Sequence, residues 1–243
     1  MPNHIKNIVT FKGDSEKIAE LRRRVAYDYD ENDPDNTGEG TLDFEKVVPM
    51  PKSLHIECGS RTDDGIEMYL TAINPETKDY GIKKVSTKYF KSIVKHLPHR
   101  YFTPYRTNLS EEDVEKMTKY VSLDELLKIG KTAISNVRKY GATTWYDWSI
   151  WHWGTKWNSY DICKCDNGFE FSTAWNAPHP IINKLAEMFP KVSIHHRWAD
   201  EDIGSNCGEL LYENGEIVEG KYSESMEEEE AIKFAKSVWG WED

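Results

Sequence analysis

Two Asn-Gly pairs, each inside a run of alternating apolar and polar residues, constrain this chain more than any other feature. Asn167-Gly168 lies within "SYDICKCDNGFEFSTAW" and Asn214-Gly215 within "CGELLYENGEIVEGK". Such a pair accepts the left-handed backbone of a two-residue turn, whose twist matches that of paired antiparallel strands. Two β-hairpins are therefore expected after residue 158. Between them, "APHPIINKLAEMFP" reads as a helix with Pro178 or Pro180 near its start and Ile181, Ile182, Leu185, Met188 and Phe189 on its inner side. "KVSIHHRWAD" returns to period two, with Val192, Ile194, His196 and Trp198 facing one way. "MEEEEAIKFAKSVWGW" closes the chain as a helix with Ile232, Ala235, Val238 and Trp239 inward. Glu227 to Glu230 sit in its first turn, where acids stabilise the positive end of the helix dipole; four acids also leave room for a partner-facing patch.

The N-terminus has the same mixed character. "HIKNIVTFKG" alternates Ile5, Val9 and Phe11, and "DSEKIAELRRRVAYD" follows with Asp14 or Ser15 as N-cap and a face of Ile18, Leu21 and Val25. "TLDFEKVVPMP" reads as a short strand closed by Pro49 and Pro51. The middle is helical: Ile66, Tyr69, Leu70 and Ile73 mark one helix, and Tyr89, Phe90, Ile93, Val94 and Leu97 mark a second between Ser86 and Pro98. Ser110 with Asp113 and Ser122 with Glu125 have capping-box spacing, and Gly141 stands where a helix-ending glycine belongs. No repeat recurs at a fixed period. The expected fold class is α+β: an antiparallel sheet with helices on one face, plus a helical insertion or lobe. The expected parts are 1–55 (strand, helix, strand contributing to the sheet), 56–157 (the helical lobe) and 158–243 (hairpin, helix, strand, hairpin, helix), all within one compact unit.

Charge narrows the partners. With 42 acidic against 31 basic residues the chain carries −11, a field that repels phosphate backbones and disfavours broad nucleic-acid binding. Arg22 to Arg24 form the one triple basic run. No apolar stretch reaches the length of a membrane span, no signal peptide is visible, and four cysteines do not suggest a disulfide scaffold. A cytoplasmic protein with reduced thiols is expected.

The segment "WYDWSIWHWGTKWN" puts five tryptophans between Trp145 and Trp157. In a short helix Trp145, Trp148 and Trp151 or His152 would share one stripe, which is usually packing. Gly154 permits a turn, and Thr155 and Lys156 then stand between Trp153 and Trp157. There a lysine can make a cation–π contact, which leaves a second reading open: an aromatic-walled pocket headed by Lys156 and suited to a base, nucleotide or sugar. The candidate binding residues are Asp147, Trp153, Gly154, Thr155, Lys156, Trp157 and Trp175.

"MPNHIKNIVTF", "DFEKVVPMP", "WYDWSIWHWGTKWN", "FSTAWNAPHPIINKLAEMFP" and the "Y.NGEIVEG" tail together resemble the YubB ferredoxin-like family, cytosolic proteins spread on phages, prophages and plasmids. Residues 55–135 carry little of the resemblance. It implies a ferredoxin-like sheet and no established activity; a fold name supplies none either. The name describes topology, since the chain lacks the closely spaced cysteines of an iron–sulfur site.

Other constellations fall short of known sites. In "DYDENDPDNTGEG", Asp28, Asp30, Asn32 and Glu39 match four positions of an EF-hand loop, but Asp33 stands where glycine is needed and no helix follows. Cys163 and Cys165 make one close pair, with Cys207, His195 and His196 elsewhere, where structural zinc usually has two close pairs. A nucleophile would need a base beside it. Cys207 is close in sequence to His195 and His196, yet neighbouring strand residues face opposite ways, so one histidine at most could serve. No nucleophile elbow, phosphate loop or dinucleotide fingerprint is present. The expectation is no catalytic residue, no metal and no cofactor. The leading function is a non-catalytic cytoplasmic binding protein of a phage or mobile element, acting on a host or phage macromolecule through its acidic surface. Inhibition of a host defence system is one instance of such a role. The alternatives are a single-stranded nucleic-acid module, which needs exposed Trp175, Phe171 or Trp198, and a nucleotide- or small-molecule-binding enzyme with a Trp/Lys pocket.

Overall fold

The computed structural model describes residues 2–27, 41–98, 103–163 and 167–241. The chain divides into two units, Met1–Pro49 with Ser149–Asp243, and Met50–Trp148. From sequence the divisions were placed after residues 55 and 157. In order the elements are β1 (His4–Lys12), α1 (Ser15–Val25), α2 (Phe44–Val47), α3 (Ser60–Ile73), α4 (Thr87–His96), α5 (Glu111–Thr118), α6 (Leu123–Tyr140) and α7 (Trp145–Trp153). They continue with β2 (Tyr160–Cys163), β3 (Gly168–Ala174), α8 (His179–Met188), β4 (Ser193–Asp200), β5 (Gly208–Glu213), β6 (Glu216–Tyr222) and α9 (Glu228–Trp239). The acidic loop 28–40, and with it the EF-hand comparison, lies outside the described residues, as does Cys165.

The fold is α+β. The first unit is built on a six-stranded antiparallel sheet in the order β2-β3-β1-β4-β5-β6. Asn214 and Gly215 turn β5 into β6 with φ of 54° and 86°, both left-handed, as the pair requires. The β2–β3 hairpin is also present, with a register shift between Tyr160 and Cys163, but Gly168 is the first residue of β3, paired with Thr10, and lacks the left-handed φ expected of it.

Strand alternation gives the sheet an inner and an outer face. Ile5, Val9 and Phe11 point inward from β1, and the register sets Val9 between Phe169 and His196. Phe44 meets Phe171 edge to face at 5.9 Å, and His179 of α8 meets Trp198 at 4.5 Å, so α2 and α8 cover this face. Sequence patterning placed the helices on one face; α9 is the exception. Its Ala231, Ala235 and Val238 pack with Ala199, Cys207 and Ile8, which alternation turns to the outer side. Arg197, on the same side, donates to Ser237 Oγ at 2.7 Å and lies over the Phe234 ring. These contacts cover only one end of the outer face.

One strand expected from sequence is corrected. "DFEKV" forms the helical turn α2, because the Asp43 carboxylate accepts from Glu45 N at 3.0 Å and Asn158 Oδ1 accepts from Phe44 N at 2.9 Å. Capping outweighs β propensity over so short a run. Leu42 alone makes a bridge, to Ala26.

One polar network on the inner face joins Asn7, Thr173 and His196. Asn7, fully buried on β1, donates to Ile5 O and to Thr173 Oγ1, each at 2.9 Å. Its Oδ1 lies 3.0 Å from His196 Nε2, so that nitrogen carries the proton and donates. His196 Nδ1 is then an acceptor, and it has no hydrogen-bond partner among the described residues.

The second unit is helical. Ser110 and Asp113 form the expected capping box on α5, the Ser122 hydroxyl caps α6, and Gly141 ends α6 with φ of 78°. Along α3 and α6, Ile66, Leu70 and Ile73 meet Ala133 and Ile134, with Ile93 and Leu97 from the α4 region. Glu67 is buried on α3 and is neutralised by Arg106, which donates to it from Nε at 2.8 Å and also binds Asp113. Among the described residues no helix is long and apolar enough to cross a membrane.

Candidate functional site

The tryptophan segment divides its two readings among its residues. Trp148 and Trp153 are buried, and Trp153 donates from Nε1 to Val48 O at 2.9 Å while meeting Phe44 edge to face. Trp151, expected on the packed stripe, is 59% exposed. Burial follows Trp148, Ser149 and Trp153 instead: at about 100° per residue these span an arc of about 140°, and Trp151 lies about 60° beyond its Trp148 edge, nearly opposite Trp153.

Beyond α7 the chain turns at Gly154, whose φ is 81°; a Cβ there would stand 2.7 Å from Pro180 Cδ. The next residues are pinned. Thr155 Oγ1 donates to Ala174 O at 2.8 Å and accepts from Ala174 N at 3.1 Å, joining the loop to the end of β3. Lys156 O accepts from Ser149 Oγ at 2.7 Å, and Asn158 Nδ2 donates to Asp43 at 2.8 Å. Ser159 Oγ donates to Leu42 O at 2.6 Å. With its backbone fixed at these points, the loop presents Lys156 and Trp157 outward.

Trp175 comes from the other side, directly after β3. Its φ of 72° is left-handed, a conformation costly for so bulky a residue, of order 1–3 kcal/mol. Its backbone is held at both ends: its N donates to Asn3 O at 2.9 Å, and its O accepts from Asn206 Nδ2 at 3.2 Å. The result is a clamp. Lys156 Nζ lies 4.5 Å from the Trp157 ring centre and 5.1 Å from that of Trp175, while the two indoles remain 36% and 39% exposed. Each contact at such a site contributes about 0.5–1 kcal/mol. Trp157 also meets Tyr160 edge to face at 6.2 Å.

Of the residues singled out from sequence, Lys156, Trp157 and Trp175 therefore converge. Gly154 and Thr155 shape their loop, and Trp153 is packed beneath. Asp147 belongs to the other unit, where burial raises the pKa of its half-buried carboxyl. The nucleic-acid alternative called on Phe171 and Trp198 as well as Trp175. Both are buried in the inner face, which leaves Trp175 alone.

The thiol–histidine arrangement is not assembled. Cys207 is buried with Sγ directed at Ala231 O (3.7 Å), and burial pushes its thiol pKa up, away from the reactive thiolate. His196 points into the inner face. His195 faces outward, its Nε2 2.9 Å from Glu209 Oε2. Sequence reasoning did not single out Glu209; its diagonal place beside His195 follows from the β4–β5 register, which pairs it with Arg197. Among the described residues no three metal-binding side chains gather.

Comparison with known proteins bears on the same region. Residues 152–242 match the family model of the ferredoxin-like domain in Api92-like protein. Among solved structures the chain is similar to that of a protein api92 from Yersinia pseudotuberculosis, at 11% identity over 91% of this chain and 98% of that one, with a TM-score of 0.40. No curated protein matches. The matched residues run from the end of α7 to α9, so the Lys156 clamp is carried by a ferredoxin-like domain similar to that of Api92-like protein.

Proposed function

We propose that this chain is a non-catalytic binding protein that anchors a protein partner on the Trp157–Lys156–Trp175 clamp. One observation carries the reading: an ammonium group set against two exposed indoles on a backbone already pinned by hydrogen bonds. Tryptophan is enriched among residues that dominate binding energy, and a preformed anchor loses little entropy on association. The acidic surface adds electrostatic selection, favouring partners with basic or nucleic-acid-binding grooves. The YubB-like stretches support a setting in phages and other mobile elements, with a host or phage macromolecule in the cytoplasm as target. Inhibition of a host defence system is one role of that kind.

The test is affinity capture from host lysate with the wild-type chain, Lys156→Ala and the Trp157→Ala/Trp175→Ala pair. The expected result is a protein retained by wild type and lost from the double variant, whose circular dichroism is unchanged. Equal capture by all three would overturn the reading. A gel shift over a range of salt with single-stranded RNA and DNA separates the alternative: tight, steeply salt-dependent binding would replace this proposal with nucleic-acid recognition.

A further inference from the structure

The outer face of the sheet holds a second site, separate from the clamp. Beyond the end covered by α9, strands β1, β4, β5 and β6 form a trough of about 570 Å³ lined by strand residues alone. That volume is within the range of small-molecule sites. The register sets Thr10, His195, Leu211 and Glu219 side by side across it, and the next rung places Lys12 opposite Ser193, with Glu213 also in the lining.

The charges here are sorted by strand. Glu209 is engaged with His195, and Lys221 with Glu230. Among the described residues no ion pair engages Lys12, Glu213 or Glu219. One uncommitted ammonium group therefore stands on β1, and two uncommitted carboxylates stand on β5 and β6. Lys12 and Glu213 lie two strand spacings apart, about 10 Å. Ser193 lies between them, and on the neighbouring rung the apolar Leu211 lies between His195 and Glu219, beside the bare backbone of Gly220. Glu209 holds the His195 imidazole by Nε2, 2.9 Å from its Oε2, which leaves Nδ1 outside that pair.

We propose that this trough binds a small dipolar amine, a basic amino acid or a short basic peptide, with its ammonium or guanidinium group at Glu213 and Glu219 and its carboxylate at Lys12. A simple anion would meet two uncommitted carboxylates for one uncommitted lysine. A simple cation would leave Lys12 facing like charge. A dipeptide spans about 7 Å, and the reach of the Lys12 and Glu213 side chains closes the remainder.

The experiment follows the His195 ring resonances of the full chain by NMR during titration with L-arginine, glycyl-lysine, spermidine and glutarate. Saturable shifts with arginine or the dipeptide are expected, and the tighter of the two identifies the source. Affinity should fall about tenfold or more, roughly 1.4 kcal/mol, in Glu213→Gln/Glu219→Gln and in Lys12→Ala. It should be unchanged in Lys156→Ala, which separates this site from the clamp. Absence of saturation by either dipolar probe at millimolar concentration would overturn the proposal. So would binding of spermidine or glutarate as tight as that of arginine, or unaltered affinity in the trough variants.

Discussion

Gly130→Ala tests the packing of the helical unit, because two known effects of that change have opposite signs. In a helix interior alanine is favoured over glycine by about 1 kcal/mol. On α6, however, a Cβ at Gly130 would stand 1.9 Å from Gly65 O and 2.4 Å from Gly65 C. Those are backbone atoms of α3, so no rotamer change relieves the overlap. Restoring ordinary contact requires α3 and α6 to part by about 1 Å or more, and a gap of that size forfeits a quarter to a half of the dispersion well for the atoms involved. The atoms involved include the facing Ile66, Leu70, Ala133 and Ile134. Overpacking costs about 1–3 kcal/mol and occasionally more; an overlap with backbone atoms belongs at the upper end of that range, so after the propensity gain of about 1 kcal/mol a net loss of about 2 kcal/mol is expected. Urea unfolding followed by far-ultraviolet circular dichroism measures it, with the exposed Lys128→Ala on the same helix as the control for propensity. A Gly130→Ala midpoint equal to or above that of wild type would show that the two backbones do not touch, and the close crossing would have to be abandoned.

Four further outcomes follow, the first three from the first unit alone. Gly154→Ala combines a left-handed φ with a contact 2.7 Å from Pro180 Cδ; it should lower stability by about 1–3 kcal/mol, read as a fall in thermal midpoint. Thr155→Val removes both hydrogen bonds to Ala174 and should cost about 2 kcal/mol, with altered fluorescence from Trp157 and Trp175 reporting a loosened clamp. Burial lowers the proton affinity of His196 and His179 below the ordinary 6.5. The unfolded chain therefore binds more protons as pH falls from 6.5, and stability should decline by about 1.4 kcal/mol per pH unit for each histidine until the folded groups titrate. Urea midpoints that stay level from about pH 7 to about pH 5 would contradict this. Cys58 is exposed and Cys207 buried with a raised thiol pKa; a mild thiol reagent should modify Cys58 first and reach Cys207 only on unfolding.

Much of the fold was legible because it is written in local signals. Asn214-Gly215, the Ser110–Asp113 box and Gly141 each fix a turn or helix end within a few residues, and each stands where expected. The misread segment shows the limit. In "DFEKVV" the apolar spacing fits a strand as well as a helical turn, and the residue that decides is Asn158, whose side chain holds Phe44 N from 114 positions away. The same holds for α9: its inward residues were identifiable, but the face it packs against depends on which side of β4 Ala199 occupies.

The candidate site was legible in its members and not in its assembly. Composition and spacing pointed to Lys156 and Trp157, and Trp175 was named separately. What brings them together is the β2–β3 hairpin, which returns the chain so that Ala174 lies beside Thr155 and both backbone groups of Ala174 are engaged by one hydroxyl. Beyond that pairing, Trp175 faces Lys156 with a left-handed backbone, a conformation held by Asn3 and Asn206. A strained tryptophan kept in place from two sides has a local cost, set against its contact with Lys156, while its ring remains partly exposed. Trp175→Gly should relieve that strain. If the ring serves binding, the variant will be at least as stable as wild type in urea while losing the captured partner. A less stable variant that still captures the partner would show that the indole is there for the fold.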